Sequence, residues 1–207
     1  MAHEKDSIPL EEFVAIVSGA AEAQLTKRQS TFLCVKAGEY HFRVTFRNKR
    51  AVHWPHKRFT GASFHTEHPL LLDYTDPQAS LYFNAVSADI PSLVQELEQV
   101  TQEVFGGWRP LWQYLNHYGT DSQKGLPIGG MSSILEHLFR FPSGLFLRGP
   151  LSLAAPAQEI LDRHGMQSAL LDDYTPIVPV PLGVLLLGNN VLIAESFVVG
   201  PGGRGGG

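Results

Sequence analysis

From Tyr40 to Arg47 apolar and polar residues alternate one by one, and no pattern in the chain is sharper. Tyr40, Phe42, Val44 and Phe46 fall on one side; His41, Arg43, Thr45 and Arg47 fall on the other. A period of two is that of a β-strand with one buried face. Strands are also predicted over 30–36 and 51–54, with Ala37-Gly38 and Asn48-Lys49 as turns. Residues 30–55 therefore read as a three-strand meander with an apolar face and a basic face.

Helical spacing appears on either side of this meander. Leu10, Phe13, Val14, Val17 and Ala21 recur at i, i+3, i+4 and i+7, which predicts a helix over 8–25. Ile90, Leu93, Val94, Leu97, Val100 and Val104 make a longer stripe, predicting a helix over 90–105. Asp89 suits its N-cap, and Gly106-Gly107 suit its end. A short helix is expected after Pro110. Ser133 and Glu136 match a capping box and open another to about 141. A further helix is read from Pro156 to His164, stopped by Gly165.

Strand signals fall at 69–74, 80–86, 144–148 and Leu170-Leu171. A buried hairpin is read from Val184 to Leu187 and Val191 to Val199 around Gly188-Asn189-Asn190. Ile177-Val178-Pro179-Val180-Pro181 suits an edge or linker, because proline cannot donate. Residues 55–68 read as an irregular His-rich connection. Residues 117–131, rich in Gly and polar side chains, read as a loop or lobe boundary. The Gly-rich tail 200–207 cannot pack a core and reads as disordered. Strands, then helices, then strands again imply a single α+β domain over 1–199, with a largely antiparallel or mixed sheet covered by helices.

Charge sharpens the picture. Between Lys27 and His65 lie nine Lys/Arg and one acid, Glu39, a net +8. The whole chain is −4, so the remainder carries −12. Segregation on this scale marks two surfaces of opposite character. The single cysteine, Cys34, excludes an intrachain disulfide and a thiolate metal cage. Its apolar neighbours predict a buried, inert thiol. The amino terminus has no basic stretch followed by an apolar run, and no apolar run reaches the ~20 residues that cross a bilayer. These features imply a soluble, cytoplasmic protein with no membrane association.

Three constellations could carry chemistry. Along the strand, His41, Arg43 and Arg47 project from one face at multiples of about 7 Å, near the phosphate spacing of a nucleic-acid strand. Lys49, Arg50, Lys57 and Arg58 extend this charge, and Trp54 and Phe59 are the aromatics placed to stack. The same pattern would also serve as a solvated face, or as one covered by the acidic helix carrying Glu96, Glu98 and Glu103. Second, His53/His56 and His65/His68 form two HxxH pairs that, with Asp73, suggest the alternative of a metal-dependent hydrolase. Their Pro-bounded setting argues against it. Third, Leu71-Leu72-Asp73-Tyr74-Thr75 resembles Leu171-Asp172-Asp173-Tyr174-Thr175, which could deliver two carboxylates to one place. No dinucleotide, P-loop, GxSxG, HExxH or CxxC signature is present.

The expectation is a non-catalytic binding protein that needs no cofactor or metal. Its basic sheet face (His41, Arg43, Arg47, Lys49, Arg50, Lys57, Arg58) meets an anionic macromolecule, either a nucleic acid or an acidic protein. A variant of this reading has the acidic remainder cap a basic protein partner, in the manner of an immunity protein or inhibitor.

Overall fold

A computed structural model of the chain describes residues 7–83, 89–119, 122–127, 130, 145–172 and 180–202. In chain order its elements are α1 (Leu10–Gly19), β1 (Ala23–Arg28), β2 (Phe32–Ala37), β3 (Tyr40–Arg47), β4 (Ala51–His53), β5 (Arg58–Phe59) and β6 (Ala62–His65). There follow α2 (Leu72–Thr75), β7 (Gln78–Phe83), α3 (Ile90–Phe105), β8 (Leu115–Gly119), β9 (Ser122–Pro127) and β10 (Leu145–Pro150). The last are α4 (Leu151–Arg163), β11 (Ser168–Asp172), β12 (Gly183–Leu187), β13 (Asn190–Ala194) and β14 (Ser196–Pro201). The chain is α+β, with its strands in three antiparallel sheets. No helix among the described residues is long and apolar enough to cross a membrane. Two compact units emerge: Met1–Leu71 with Val180–Gly207, and Leu72–Pro179.

In the first unit, a five-stranded sheet ordered β14-β3-β2-β1-β5 and a four-stranded sheet ordered β4-β13-β12-β6 share one core. The five-stranded sheet contributes Leu25, Leu33, Val35, Phe42, Val44 and Phe46, and the four-stranded sheet Leu185, Leu187 and Leu192. Helix α1 adds Phe13 and Val17, both fully buried, and Phe13 meets Phe42 edge-on at 5.1 Å. Ser18 fastens the helix end to β6, since its Oγ donates to Ala62 O and accepts from Ala62 N.

The two sheets are joined where a pair of strands turns from one into the other. β3 pairs with β14, and β4 with β13. Thus β3–β4 and β13–β14 form one two-stranded ribbon bent at Asn48–Arg50 and Glu195, the way sandwich corners are commonly made. Asn48 takes a left-handed φ of 49° there, a conformation Asn tolerates better than most residues. The Glu195 carboxylate grips the other strand's bend, accepting from Asn48 Nδ2 at 2.6 Å and Arg50 Nη2 at 2.7 Å. Backbone bonds from Arg50 N to Ile193 O and Glu195 N to Arg47 O close the corner.

The β12–β13 hairpin turns at Gly188 as expected, but the strand expected over 191–199 breaks at Glu195 into β13 and β14, which belong to different sheets. Gly188 has φ +57°, and a Cβ there would lie 2.9 Å from Phe59 Cβ. Fully buried Asn190 donates to Leu187 O and accepts from His56 N, which anchors the otherwise irregular chain at Pro55–Lys57.

The second unit is a five-stranded sheet, β11-β7-β10-β8-β9, packed on one face by α3 and α4. Helix α3 has the bounds its stripe predicts. Asp89 accepts from Ser92 N at the start, and Gly106 closes the end in a left-handed conformation. Thr101 is buried despite its hydroxyl, which bonds back to Leu97 O at 2.7 Å.

Several expectations are corrected. The first helix ends at Gly19, and residues 23–28 are β1, because Ala23 and Leu25 supply a buried alternation that the helical stripe obscured. Residues 69–75 form a 3-10 turn and a short helix rather than a strand. The His-rich connection contains β5 and β6. The Gly-rich stretch holds the antiparallel pair β8–β9. The last long helix begins at Leu151, so Pro156 lies inside its first turns. Gly200 and Pro201 belong to β14 rather than to the tail. The helix expected over 133–141, the proline-rich stretch around 177–179 and Asp173 lie outside the described residues.

Replacing Glu195 by Ala removes the shared acceptor of two exposed side chains at the corner and should cost about 1 kcal/mol. Arg47→Ala, one step away on the exposed face, should cost only ~0.5 kcal/mol. Urea unfolding of both variants checks this; equal losses would mean that Glu195 does not hold the corner.

Candidate nucleic-acid interface

The outer face of the five-stranded sheet collects most of the cations singled out in the sequence. Phe42, Val44 and Phe46 are buried, while Arg43 and Arg47 are exposed and His41 is half-buried on the opposite side. Register carries the pattern across strands. Cys34 stands opposite Arg43, Lys36 opposite His41, and Phe32 opposite Thr45. Lys27 pairs with Cys34 across β1–β2, where a register shift between Leu25 and Lys27 alters the local alternation. Arg58, on β5, stands opposite Gln24. None of these five strands contains an Asp or Glu.

Aromatic contacts order part of this face. The Arg43 guanidinium lies 3.9 Å from the centre of the Phe32 ring, and Lys27 Nζ lies 5.7 Å from it. Such cation–π contacts hold a cation in place without neutralising it. Lys27, Lys36, Arg43 and Arg47 make no salt bridge among the described residues. Arg58 approaches Glu22 at 3.7 Å, but both side chains are exposed, so the pair is weak.

The remaining expected residues divide. Lys49 is exposed at the bend after β3, and Lys57 is exposed just before β5. Arg50 is committed to Glu195 and so serves the corner. Phe59 is buried in the core and offers no stacking surface. Tyr40 was expected inward but is 58% exposed at the strand end, its ring parallel to Phe42 at 6.0 Å. Cys34 was expected inside; it is half-buried on the cationic face, because Leu33 and Val35 take the inward positions.

A cavity of about 380 Å³ opens beside this face. Leu33, Phe46 and Phe32 line it together with Val52 and Trp54, and Arg28, Gln29, Ser30 and Lys49 complete the lining. The hairpin tip carrying Gln29 and Ser30 is tied down by Gln29 N to Phe32 O and Phe46 N to Thr31 O. Sequence reasoning did not single out Phe32, Arg28 and Gln29 for the site; they lie on β2, at the end of β1 and in the turn between them, and the helix expected over 8–25 overran the start of β1.

The histidines are not brought to one point. His53 lies on β4 and His65 on β6, the opposite edges of a four-stranded sheet, roughly 14 Å apart at the usual strand spacing. His65 and His68 do meet, with ring centres 5.3 Å apart, and His65 Nε2 lies 2.9 Å from Ser63 Oγ. Burial, and then the neighbouring His65, hold His68 below the usual imidazole range. Among the described residues no group of three or more His, Cys, Asp or Glu is set to hold a metal.

Several charged groups of the second unit are engaged in internal bonds. Asp73 accepts from Tyr114 Oη at 2.8 Å and Arg109 Nε at 3.2 Å. On α3, Glu96 meets Arg163 and His164, Glu98 accepts from Leu111 N, and Glu103 accepts from Gln99. Hydrogen bonding from His164 is the main cause that holds Glu96 below the usual carboxylate range. Burial, and then the Asp73 charge, push the Tyr114 phenol far above its ordinary value.

No protein-family model matches the chain, and no curated protein or solved structure is significantly similar to it.

A tyrosine whose folded pKa is raised binds its proton more tightly in the fold than in the unfolded chain. Its contribution is therefore constant below about pH 10, the unfolded value, and is lost as pH rises beyond it. Tyr114→Phe should be less stable than wild type at pH 7, by about 1 kcal/mol for the lost bond, and should lose less stability between pH 9 and 11. Parallel losses for the two proteins on raising the pH would contradict the Tyr114–Asp73 arrangement.

Proposed function

We propose that the protein is a nucleic-acid-binding module that uses the outer face of its five-stranded sheet. The observation that carries this reading is that face itself. Lys27, Lys36, Arg43 and Arg47 project from strands without a single carboxylate, and Phe32 lies among them. Arg43 and Arg47, four residues apart on β3, stand roughly 13 Å from one another, so they can meet alternate phosphates of one strand. An acidic protein would be attracted by the charge but would gain less from the half-buried aromatic rings of Phe32 and Trp54 beside it. The division of charge between units supports the same choice. The first unit has eleven Lys/Arg and eight Asp/Glu, +3, and the second five and twelve, −7.

Phosphates neutralised by this face would release condensed counterions, so binding should weaken steeply with salt. Four to five contacts correspond to a log–log slope of about −3 to −4.5. Arg43→Ala/Arg47→Ala should weaken binding to every sequence alike and flatten the slope by roughly 1.5. Stability should fall by only ~0.5 kcal/mol per site. Fluorescence anisotropy with labelled DNA and RNA at several salt concentrations checks this. No binding at ~50 mM salt, or equal competition by polyglutamate, would favour an acidic protein partner instead.

A further inference from the structure

We propose that the cavity beside the basic face receives an unpaired base, so that the ligand is single-stranded nucleic acid rather than duplex. This rests on the nucleic-acid reading above and names the form the nucleic acid must take. The inner face of β3 is covered at its Phe42 end by Phe13 of α1. Four residues further on, at Phe46, the core opens into the cavity. Its volume of about 380 Å³ falls within the roughly 300–1,000 Å³ of small-ligand pockets.

The lining has the chemistry of a base site. Phe32 and Trp54 are half-buried aromatics that can cover a flat ring, while Leu33, Phe46 and Val52 provide an apolar wall. Gln29 and Ser30 offer hydrogen-bonding groups to a base edge. Arg28 and Lys49 supply positive charge, and no carboxylate lines the cavity. Phe32 belongs to the cavity and to the sheet face at once, through its contact with Arg43. A strand crossing Arg43 and Arg47 on its phosphates can therefore turn one base in beside Phe32. A nucleotide in a duplex would have to break both its pairing and its stacking to do this, a cost that an unpaired base largely escapes. Base–aromatic stacking of this kind tolerates any sequence.

The test compares three ligands on the full-length protein: oligothymidylate of about twelve nucleotides, an abasic oligomer of the same length and charge, and a duplex of that length. Wild type should bind the thymidylate at least 5-fold more tightly than the other two. Trp54→Ala should remove most of that preference while leaving abasic binding unchanged. Trp54 also packs against the core, so thermal melting of the variant is measured alongside. Arg28→Ala/Lys49→Ala, altered only at exposed side chains, gives a second route. It should weaken thymidylate binding more than duplex binding, with a salt slope flatter by about 1.4. Equal affinity for all three ligands, or an unchanged preference in both variants, would overturn the base pocket and leave the basic-face reading intact. Absence of binding to any of them would overturn both.

Discussion

The bent ribbon at Glu195 is the constraint on which the first unit depends. The two sheets share one core, and a paired set of strands, β3–β4 with β13–β14, passes directly from one sheet into the other. A bend in two paired strands interrupts the ladder, so backbone and side chains at the corner need other partners. Asn48 and Arg50 find one in Glu195. With the corner set, Phe42, Val44 and Phe46 face the other sheet and their neighbours must face away. The same placement stations Lys49, Val52 and Trp54 around the end of the sheet, where the cavity opens. Core, cationic face and cavity therefore follow from one local geometry.

This arrangement explains why nearby cations have different roles. Arg43, Arg47 and Arg50 are close in sequence and alike in charge. Arg43 is ordered by the face of Phe32, Arg47 projects from an outward position, and Arg50 is consumed by Glu195. An oppositely charged partner gains most from cations that are ordered yet unneutralised, since their positioning is complete before binding. Arg43 fits that description best. In the second unit, Asp73, Glu96 and Glu98 are turned instead to internal bonds that hold helices and loops to one sheet.

Local regularity decided what the sequence made legible. Strand β3, helix α3 and the Gly188 hairpin were readable because periodicity, caps and turn residues agree there. Strand β1 was hidden because Ala21 extends the stripe of α1 by chance, and the real stop at Gly19 lies only four residues before β1 begins. Strands β5 and β6 are only two and four residues long, and only their pairing with β1 and β12 defines them. The cationic face was legible in β3 alone; the contributions of Phe32, Lys36 and Lys27 needed the register of β1 and β2. The cavity was not legible at all, since its walls come from two stretches, 28–33 and 46–54, that only the pairing of β2 with β3 and the bend after β3 bring together. Arg50 shows the same limit, for its partner lies 145 residues away.

Cys34 offers the most direct measurement. It is the only cysteine in the chain and is half-buried on the cationic face, opposite Arg43 on one side and Lys27 on the other. Its rate of alkylation by iodoacetamide can be followed with and without saturating single-stranded oligonucleotide. A ligand lying across this face should slow the reaction several-fold, and the protection should disappear at high salt. A bound oligonucleotide that leaves the rate unchanged would place the interface elsewhere and contradict the account.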